Sequence, residues 1–530
     1  MSLAHAPAPR RPELERLDRV LASPRVRDGA LLEGDESMRA QVCVVGSGAG
    51  GATVACELVR RGHSVVLLEE GAYRTGRDFT GDPVAMAKLL LPGGDATRTD
   101  DPVALSIPTG RCVGGTTVLG YGTSQRVPAS VLESWEKEHG VSGLGERELA
   151  PYFARAEHEL GVAPIPDALV GRNASLLERG VAALGYAGAR VARAASGCLA
   201  TGVCDRGCPQ DAQLGMHVLT VPRAVEAGAV VYSRARADKL LVSGTRVFGV
   251  QASLLRADGT PTGRTLRVLA DRVVVACGAL ATPALLLRSG IAPGSGQLGR
   301  NLRLQPAVRV LAAFPDEVRA FEEVPQAYEV TQLLDEGIAI HGLPAPLATL
   351  ARTLPAVGRA HKAILSRHAR LGAVAARVAD GGHGTVELRR DGTTIVKYQL
   401  SDGDRRRLLR ATSLAAEVLF AAGAEEVYPA LRHRAVLRDV GDAAALREAD
   451  LSELDVELVA HHPMGTARMA DDRTRGVTGA SGAVHELQDL YVVDASLLPT
   501  ATAVAPLTTI VALALRIAEH VSDSVGARLA

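Results

Sequence analysis

The sequence predicts an α/β fold (α+β overall) in which a parallel-sheet domain, discontinuous in sequence, holds an inserted antiparallel-sheet domain. The apolar, β-branched run 41–45 stops at a glycine-rich turn and a helix, as buried strands of parallel sheets do. Between 385 and 398, two strand-like segments flank Asp391 and Gly392, which is a hairpin signal. A last strand-like segment, 490–494, precedes a long apolar helix near the C-terminus.

The glycine-rich turn predicts a Rossmann-like site for a dinucleotide. Gly46, Gly48 and Gly51 match G-x-G-x-x-G directly after the strand. We expect Gly46 to allow the tight turn, Gly48 to let a pyrophosphate approach the backbone, and Gly51 to allow close helix–strand packing. Ala49 and Gly50 open the helix, whose first N–H groups would face the phosphates.

The second strand of this unit, 64–68, ends in two acidic residues, Glu69 and Glu70. A carboxylate at this position can accept hydrogen bonds from an adenosine ribose. Because it would repel a 2′-phosphate, the acidic residue disfavours NADP.

Length and composition exclude several classes of protein. The chain has 530 residues, enough for two or more domains, and its 59 basic residues balance its 59 acidic ones. No basic stripe is present, which argues against nucleic acid as a partner. The longest apolar stretch, 501–515, is too short for a transmembrane segment, and no secretory h-region follows the N-terminal arginines. Seven cysteines, an odd number, fit a reducing compartment, so we expect a cytoplasmic enzyme.

Changes of pattern along the chain predict its domain organisation. The stretch 305–460 differs in texture from its surroundings, with the hairpin and a helix at 405–422, and is interpreted as the inserted, substrate-binding domain. The predicted units are an N-terminal arm (1–38), a first part of the nucleotide-binding domain (39–304, including the cysteine-containing segment 196–209), the insert (305–460) and the C-terminal part of the nucleotide-binding domain (461–530).

Taken together, four segments resemble the glucose–methanol–choline (GMC) oxidoreductases, FAD enzymes that oxidise alcohols, and are most similar to their long-chain alcohol oxidase branch. The segments are the glycine fingerprint, Gly110–Val118 with Arg126–Pro128, Ala276–Gly290, and His462–Thr466 followed by Asp494–Ser496 and the terminal helix. The resemblance implies FAD as the cofactor and a small-molecule alcohol as the substrate, with O2, a quinone or a carrier protein as electron acceptor.

The resemblance also implies which residues contact the cofactor. Gly114, Gly115 and Thr116 would pack against the flavin and its diphosphate, and Ala237 would sit at the adenine. Asp494 and Ala495 would lie along the ribityl and phosphate chain. Further cofactor contacts are implied at Arg111, Cys277, Gly278, Pro506 and Leu507.

His462 stands where the family has its catalytic histidine, at the start of H-x-x-G-T. A neutral imidazole can take the hydroxyl proton while a hydride leaves carbon for flavin N5. A helix that begins with Pro506 and Leu507 would stabilise negative charge on the reduced flavin. Adjacent residues of an extended segment point oppositely, so we expect His461 to turn away as a supporting residue; the alternative is that it joins the site.

Two departures from the family pattern leave three interpretations open. Many members carry Asn or His where this chain has Ala505, and Asn where it has Gly120. His462 would then act alone or with help from His461 or Tyr121. Alternatively, the site is reshaped for a bulkier or more apolar alcohol, which we favour. The third possibility is a different reaction: a flavin-dependent lyase or isomerase, or a catalytically altered FAD-binding protein.

Cys198, Cys204 and Cys208 form a C-x5-C-x3-C-P cluster. Three thiols could ligate an iron–sulfur cluster, but relatives that hold one carry a vicinal Cys-Cys pair, and here Leu199 follows Cys198. We favour a tight cysteine-containing loop, with or without a disulfide, over a metal or cluster site.

Overall fold

The computed structural model describes residues 11–100, 104–354, 356–431, 433–454 and 458–526. The first ten residues of the predicted N-terminal arm lie outside these ranges. The α-helices are α1 (Pro12–Leu21), α2 (Ala49–Arg60), α3 (Pro83–Leu90), α4 (Ala129–Lys137), α5 (Glu146–Leu160), α6 (Arg172–Ala183), α7 (Thr220–Glu226), α8 (Gly278–Arg288), α9 (Leu347–Thr353), α10 (Gly358–Ser366), α11 (Asp402–Ala421), α12 (Val440–Ala444) and α13 (Leu507–Gly526).

The strands are short in most cases and distributed over the whole chain. They are β1 (Val26–Asp28), β2 (Glu36–Val45), β3 (Val65–Leu68), β4 (Thr97–Arg98), β5 (Leu105–Ile107), β6 (Val162–Ala163), β7 (Gly188–Arg190), β8 (Arg193–Ala194), β9 (Val230–Ser233), β10 (Ala235–Ser243), β11 (Arg246–Leu255), β12 (Pro261–Val275), β13 (Ala307–Ala313), β14 (Tyr328–Val330), β15 (Ile338–Gly342), β16 (Leu371–Val378), β17 (His383–Leu388), β18 (Thr394–Gln399), β19 (Glu426–Tyr428), β20 (Leu458–Val459) and β21 (Leu490–Val492).

The first sheet has the order β1-β9-β3-β2-β12-β11-β10, with β21 also paired to β12. The pairs β1–β9, β9–β3, β3–β2, β2–β12 and β12–β21 are parallel, whereas β12–β11 and β11–β10 are antiparallel. Strand β21 comes from the C-terminal part of the chain, so the parallel sheet is discontinuous in sequence, as predicted. The Rossmann-like unit β2-α2-β3 lies at its centre, which confirms the predicted fold class.

Two stretches of the predicted N-terminal arm belong to this sheet. Strand β1 pairs with β9, where Val26 lies opposite Val231. Strand β2 begins at Glu36, five residues before the apolar run that predicted it, because its first half alternates between half-buried and exposed side chains. A strand half with this alternation and several polar residues is not recognisable as a buried strand from the sequence pattern.

The second sheet has the order β4-β5-β20-β13-β16-β15-β14-β7, with β19 paired to β13. The run from β13 through β16, β15 and β14 to β7 is antiparallel. Strands β4, β5 and β7 come from outside 305–460, so this sheet is wider than the predicted insert. The domain boundaries themselves stay a prediction.

Two local predictions within 305–460 are confirmed. Strands β17 and β18 form an antiparallel hairpin around Asp391 and Gly392. Helix α11 begins three residues before the predicted position because Ser401 and Asp404 form a capping box, in which each side chain bonds the other residue's backbone N–H.

Two large apolar cores lie on the two sheets. One is formed by the first sheet with helices that include α2, α5 and α13, and the other by the second sheet with α6 and α11. The C-terminal helix α13 packs on both α2 and α5. Among the described residues, no helix combines the length and the apolar character that a membrane span requires.

Candidate active site

A cavity of about 1600 Å³ lies where the first sheet meets the second. Its walls include the carboxyl ends of the parallel strands, at Val45 and Leu68, and one face of the second sheet, at Arg309 and Ala375. Two residues predicted for the site, Gly51 and Gly114, do not line it. The predicted residues that do are Gly46, Gly48, Ala49, Gly50, Glu69, Glu70, Arg111, Gly115, Thr116, Ala237, Cys277, Gly278, His461, His462, Asp494, Ala495, Pro506 and Leu507.

The glycines of the fingerprint meet different demands. Gly46 has φ +99°, and a Cβ there would lie 2.3 Å from the carbonyl oxygen of Ala276. A Cβ on Gly51 would lie 1.9 Å from the carbonyl oxygen of Gly46, which explains why Gly51 packs the turn and does not line the cavity. A Cβ on Gly48 would meet no atom within 4 Å. Gly48 is also the N-cap of α2, so the helix start faces open space in the cavity.

Glu69 is buried beneath the glycine turn. Its Oε2 accepts hydrogen bonds from Ser47 N (3.1 Å) and Ser47 Oγ (2.6 Å), and its Oε1 accepts one from Gly71 N (2.9 Å). Burial raises the pKa of this carboxyl to about 7, although these three donors oppose the shift. Gly114 N donates to Ser47 Oγ (3.0 Å), so Gly114 lies behind the cavity wall and supports the turn. No pattern in the sequence indicates this role of Ser47.

Asp494 joins the third predicted segment to the C-terminal one. Its Oδ2 accepts hydrogen bonds from Gly278 N (2.9 Å) and Thr282 Oγ1 (2.5 Å), and its Oδ1 accepts one from Ser496 N (2.7 Å). Burial raises the pKa of Asp494. The carboxyl group therefore holds the start of α8 against the segment that leads to the terminal helix.

The terminal helix α13 begins one residue later than predicted. Pro506 was expected at the first helical position, but its carbonyl oxygen accepts a hydrogen bond from Ile510 N (2.9 Å), which makes Pro506 the cap and Leu507 the first helical residue. Both residues line the cavity. The N–H groups of the first turn have no acceptor within the helix, so the positive end of its dipole lies at the cavity wall.

His461 and His462 both line the cavity, whereas the sequence predicted that one ring would turn away. The reason is that β20 ends at Val459, so the two histidines lie in a loop without the alternation of a strand. His461 is more exposed than His462, and its exposed surface borders the cavity. Its ring makes no hydrogen bond to any of the described residues.

Gln305 fixes the ring of His462. The Gln305 amide satisfies all its neighbours when its nitrogen donates to His462 Nδ1 (3.2 Å) and its oxygen accepts from Thr502 N (2.9 Å), Thr502 Oγ1 (2.9 Å) and Ala503 N (3.2 Å). Gln305 and Ala503 have φ +50° and +61°, a region that non-glycine residues rarely adopt. Backbone strain of this kind persists where the surrounding contacts enforce it.

Burial lowers the pKa of both histidines, and neighbouring basic side chains add to the effect. The pKa of His461 falls to about 4, first through burial and then through Arg309 and Arg377. The pKa of His462 is also lowered, by burial and then by Arg377, His461 and His341. Both imidazoles are therefore neutral at physiological pH.

Sequence reasoning missed the polar side chains of the second sheet. Arg309 and Arg377 stand in the apolar strands β13 and β16, and His341 in β15; all three line the cavity. A lone arginine within an apolar strand was the available signal, because arginine is seldom buried without a partner. The sequence alone does not show which face of the strand such an arginine occupies, because this depends on how the strands pair in the sheet.

The two departures from the family pattern both lie on the cavity wall. Ala505 and Gly120 line it, as does Tyr121. A Cβ on Gly120 would make only ordinary contact, with Gln213 Nε2 at 3.6 Å. Small residues at both positions leave space in the cavity.

The three clustered cysteines are free thiols. The sulfur of Cys198 accepts a hydrogen bond from Ala200 N (3.4 Å), and that of Cys208 accepts one from Ala212 N (3.3 Å). Cys204 Sγ accepts from an arginine, Arg193, at 3.7 Å. No group of three or more metal-ligating side chains is arranged around a metal position in the parts of the chain that the structure describes.

These features define a class of protein, an FAD-dependent oxidoreductase. The open space at Gly48, the helix start that faces it and the size of the cavity fit a dinucleotide with a substrate beside it. The chain belongs to the GMC oxidoreductase family: the family's N-terminal model matches residues 42–307 and its C-terminal model residues 381–514. FAD is its cofactor.

Several relatives share most of the chain. An uncharacterized GMC-type oxidoreductase of Mycobacterium tuberculosis is 38% identical over 499 residues, which cover 92% of this chain and 77% of that protein. A long-chain-alcohol oxidase of Arabidopsis thaliana is 27% identical, over 91% of this chain and 66% of its own length. The structure of pyridoxine 4-oxidase from Mesorbium loti has a similar fold, with a TM-score of 0.69 and 21% identity, covering 91% of this chain and 98% of that one.

Proposed function

We propose that this protein oxidises a C–OH group of a bulky small molecule, with FAD as hydride acceptor. The observation that carries the proposal is that two neutral imidazoles, His461 and His462, share one cavity with the glycine turn and the start of α13. The small residues Gly120 and Ala505 support a bulky substrate. An apolar substrate, the other prediction from the sequence, finds less support because Arg309 lines the same wall.

When bound, FAD supplies an acceptor for the hydride that leaves the carbinol carbon, and O2, a quinone or a carrier protein later removes the two electrons. The residues of this chain have to manage the hydroxyl proton. As the C–H bond breaks and the carbonyl forms, the O–H proton must pass to a neutral base within hydrogen-bond reach. The start of α13 stabilises negative charge that collects nearby.

The sequence assigns the base to His462. The contact with Gln305 instead favours different roles for the two histidines, with His462 as a hydrogen-bond donor and His461 as the base. Because His462 Nδ1 accepts from the Gln305 amide, its neutral ring carries the proton on Nε2. That N–H can donate to the substrate oxygen but cannot accept its proton. His461, whose ring has no partner among the described residues, is the base in this arrangement.

Variants of the two histidines test this function. In anaerobic stopped-flow mixing with an alcohol that bleaches the flavin, His461→Ala should retain FAD and reduce the flavin about 10²–10⁴-fold more slowly, the scale of a lost general base. His462→Ala should slow reduction less and raise the half-saturating concentration of alcohol. The reverse order of effects would return the role of base to His462.

The pH dependence provides an independent measure of the same base. His461 must be neutral to accept a proton, and its pKa is lowered to about 4 by burial and by Arg309 and Arg377. Reduction should therefore stay constant from pH 8 down to about 5 and fall only as the pH approaches 4.

Turnover without bleaching would indicate a lyase or isomerase, and no reaction across a broad alcohol panel would indicate a catalytically altered FAD-binding protein.

A further inference from the structure

Two buried hydrogen-bond acceptors on the cavity wall have no partner among the described residues. They are the Oδ1 atom of Asp205 and the Oε1 atom of Gln213, and both side chains line the cavity. An acceptor that is buried without a hydrogen bond is costly, and a ligand that donates to it removes the cost. This acceptor pair, Asp205 Oδ1 and Gln213 Oε1, therefore calls for a donor from the molecule that the cavity binds.

The amide of Gln213 is held from the protein side. Its exposure is 5%, and its Nε2 donates to Thr117 O (2.7 Å). Turning the amide round would break this bond and set the amide oxygen against the carbonyl oxygen of Thr117. A Cβ on Gly120 would lie 3.6 Å from Gln213 Nε2, so the glycine keeps the cavity side of the amide uncovered.

Asp205 is held next to the same stretch of the cavity wall. It follows Cys204, whose Sγ accepts a hydrogen bond from Arg193 Nη2 (3.7 Å), while Arg193 Nε donates to Tyr121 O (2.6 Å). The buried guanidinium of Arg193 thus ties the turn that carries Asp205 to Tyr121. In agreement with this arrangement, burial and then the charge of Asp205 raise the pKa of Tyr121.

The acceptor pair lies near the two histidines of the proposed reaction. It approaches Gly120 and Tyr121, which are consecutive in the chain. After burial, Arg309 is the next cause of the lowered pKa of His461, and Arg309 also acts on Tyr121, so both side chains lie within its electrostatic reach. One molecule can therefore contact His461 through one group and the acceptor pair through another.

The surroundings of Asp205 favour a neutral donor over a cationic one. Arg206 Nη2 lies 3.9 Å from Asp205 Oδ2, which supplies a countercharge without a hydrogen bond. The same Nη2 donates to Thr349 Oγ1 (2.6 Å), which holds the guanidinium in place. A hydroxyl group satisfies Asp205 Oδ1 without placing a second cation beside Arg206.

We propose that the substrate is a diol or a larger polyol, in which one hydroxyl is oxidised while a second hydroxyl donates a hydrogen bond to the acceptor pair. The inference rests on the proposed function, because it places the first hydroxyl at His461 and His462. A polyol with neighbouring hydroxyl groups supplies one donor to Asp205 Oδ1 and another to Gln213 Oε1.

Substrates of equal length that differ in one terminal group test the need for a donor. The plain alkanol, the α,ω-diol, the ω-methoxy alcohol and the ω-amino alcohol are each mixed anaerobically with the holoenzyme over a series of chain lengths. The half-saturating concentration for flavin reduction is measured. At the best chain length, the diol should saturate the enzyme at a concentration about 10-fold lower than the alkanol, the scale of a hydrogen bond to a charged group.

The other two alcohols identify the chemistry of the contact. A methoxy oxygen accepts hydrogen bonds but cannot donate them, so the methoxy alcohol should behave like the alkanol. Equal saturation by the diol and the methoxy alcohol would overturn the proposal. If the amino alcohol saturated the enzyme at a lower concentration than the diol, the recognised group would be an ammonium, and the assignment to a polyol would be wrong.

Variants connect the preference for a diol to the acceptor pair. Asp205→Asn should reduce the ratio between the alkanol and diol half-saturating concentrations about 10-fold, and Gln213→Met, which removes a neutral acceptor, about 3-fold. Asp391→Asn is the matched control, because Asp391 also lines the cavity but its Oδ1 already accepts from Thr393 N (2.9 Å). This control should keep the wild-type ratio.

A fluorescence titration of the apoproteins with FAD separates substrate binding from cofactor binding. Asp205→Asn and Gln213→Met should bind FAD as the wild-type protein does, because their acceptors face the substrate. A loss of FAD affinity in both variants, with equal slowing of alkanol and diol oxidation, would mean that the acceptor pair serves the cofactor. That result would overturn the proposal.

A tertiary diol, which has no carbinol hydrogen to transfer, separates this inference from the proposed function in calorimetric titrations of the holoenzyme. If alkanol and diol bleach the flavin with equal half-saturating concentrations, and Asp205→Asn affects both alike, the polyol site is refuted while alcohol oxidation stands. If no alcohol bleaches the flavin, but the tertiary diol binds and Asp205→Asn weakens its binding about 10-fold, alcohol oxidation is refuted while the polyol site stands.

Discussion

At the scale of single residues, Gln305 shows how a buried amide can decide the chemistry of a neighbour. Its oxygen is held by Thr502 and Ala503, so its nitrogen faces His462 Nδ1. Rotating the amide by half a turn would set its NH2 group against two backbone N–H groups. Unmade hydrogen bonds of this kind cost about 1–3 kcal/mol each, so the amide orientation that favours a proton on His462 Nε2 is preferred.

Substitution of Gln305 should expose this effect. Gln305→Leu removes the donor to His462 Nδ1 and should slow flavin reduction about 10-fold, the size of one hydrogen bond. Gln305→Glu provides an acceptor instead, which moves the His462 proton to Nδ1 and frees Nε2 to act as a base.

The most informative test combines Gln305→Glu with His461→Ala in one double variant. If His461 is the base, Gln305→Glu should partly rescue the His461→Ala enzyme in rapid-mixing flavin reduction, because His462 Nε2 can then accept the proton. An unchanged rate in the double variant would contradict the assignment. FAD content, measured by its absorbance, serves as the folding control.

At the scale of elements, the glycines at the start of helix α2 serve two purposes, packing against the protein's own backbone and leaving space for a ligand. A Cβ on Gly50 would lie 1.7 Å from the carbonyl oxygen of Val493, whereas a Cβ on Gly48 would meet no atom within 4 Å. Both glycines line the cavity, yet one is required by the protein's own backbone and the other leaves space.

This contrast predicts opposite results for two alanine variants. Gly50→Ala should lower the free energy of unfolding of the apoprotein by about 1–3 kcal/mol or more, because backbone must move to admit the methyl group. Gly48→Ala should cost the apoprotein much less, about the few tenths to 1 kcal/mol typical of an N-cap change. It should weaken FAD binding instead, because the methyl group occupies the space into which the diphosphate would fit.

Urea unfolding of both apoproteins and a fluorescence titration with FAD provide the two readouts. Equal destabilisation of the apoproteins by the two variants would contradict the packing argument. Unchanged FAD affinity in Gly48→Ala would contradict the role of this turn in holding the diphosphate.

At the scale of the whole molecule, the sequence predicted what depends on local pattern and missed what depends on pairing between distant strands. The fingerprint around Gly46 and the hairpin at Asp391 are local, because neighbouring residues determine both. The row of opposite residues from Arg309 through His341 to Glu329 exists only once β13, β16, β15 and β14 pair in register. No spacing within the chain relates these residues.

The expectation for His461 depended on strand pairing in a similar way. The prediction assumed an extended segment, and the strand β20 ends just before it. The length of β20 depends on the strands that pair with it, β5 and β13. Both pairings are short, so β20 does not extend through the two histidines. Local sequence pattern does not determine where such a strand stops.

The cofactor site unites parts of the chain that are more than 400 residues apart, which leads to a prediction about the whole molecule. The glycine turn lies at one end of the sequence, and Asp494 and the start of α13 lie near the other. A ligand that binds only the folded state stabilises it by about 2.7 kcal/mol at 100 times its dissociation constant. If FAD contacts both ends, hydrogen exchange should slow together in β2-α2 and in β21 through the start of α13 when the apoprotein is reconstituted. Helix α11, none of whose residues lines the cavity, is the internal control and should change little. Protection confined to the β2-α2-β3 unit would mean that the C-terminal segment does not hold the cofactor, and the assignment of His461 and His462 to the flavin's neighbourhood would fail with it.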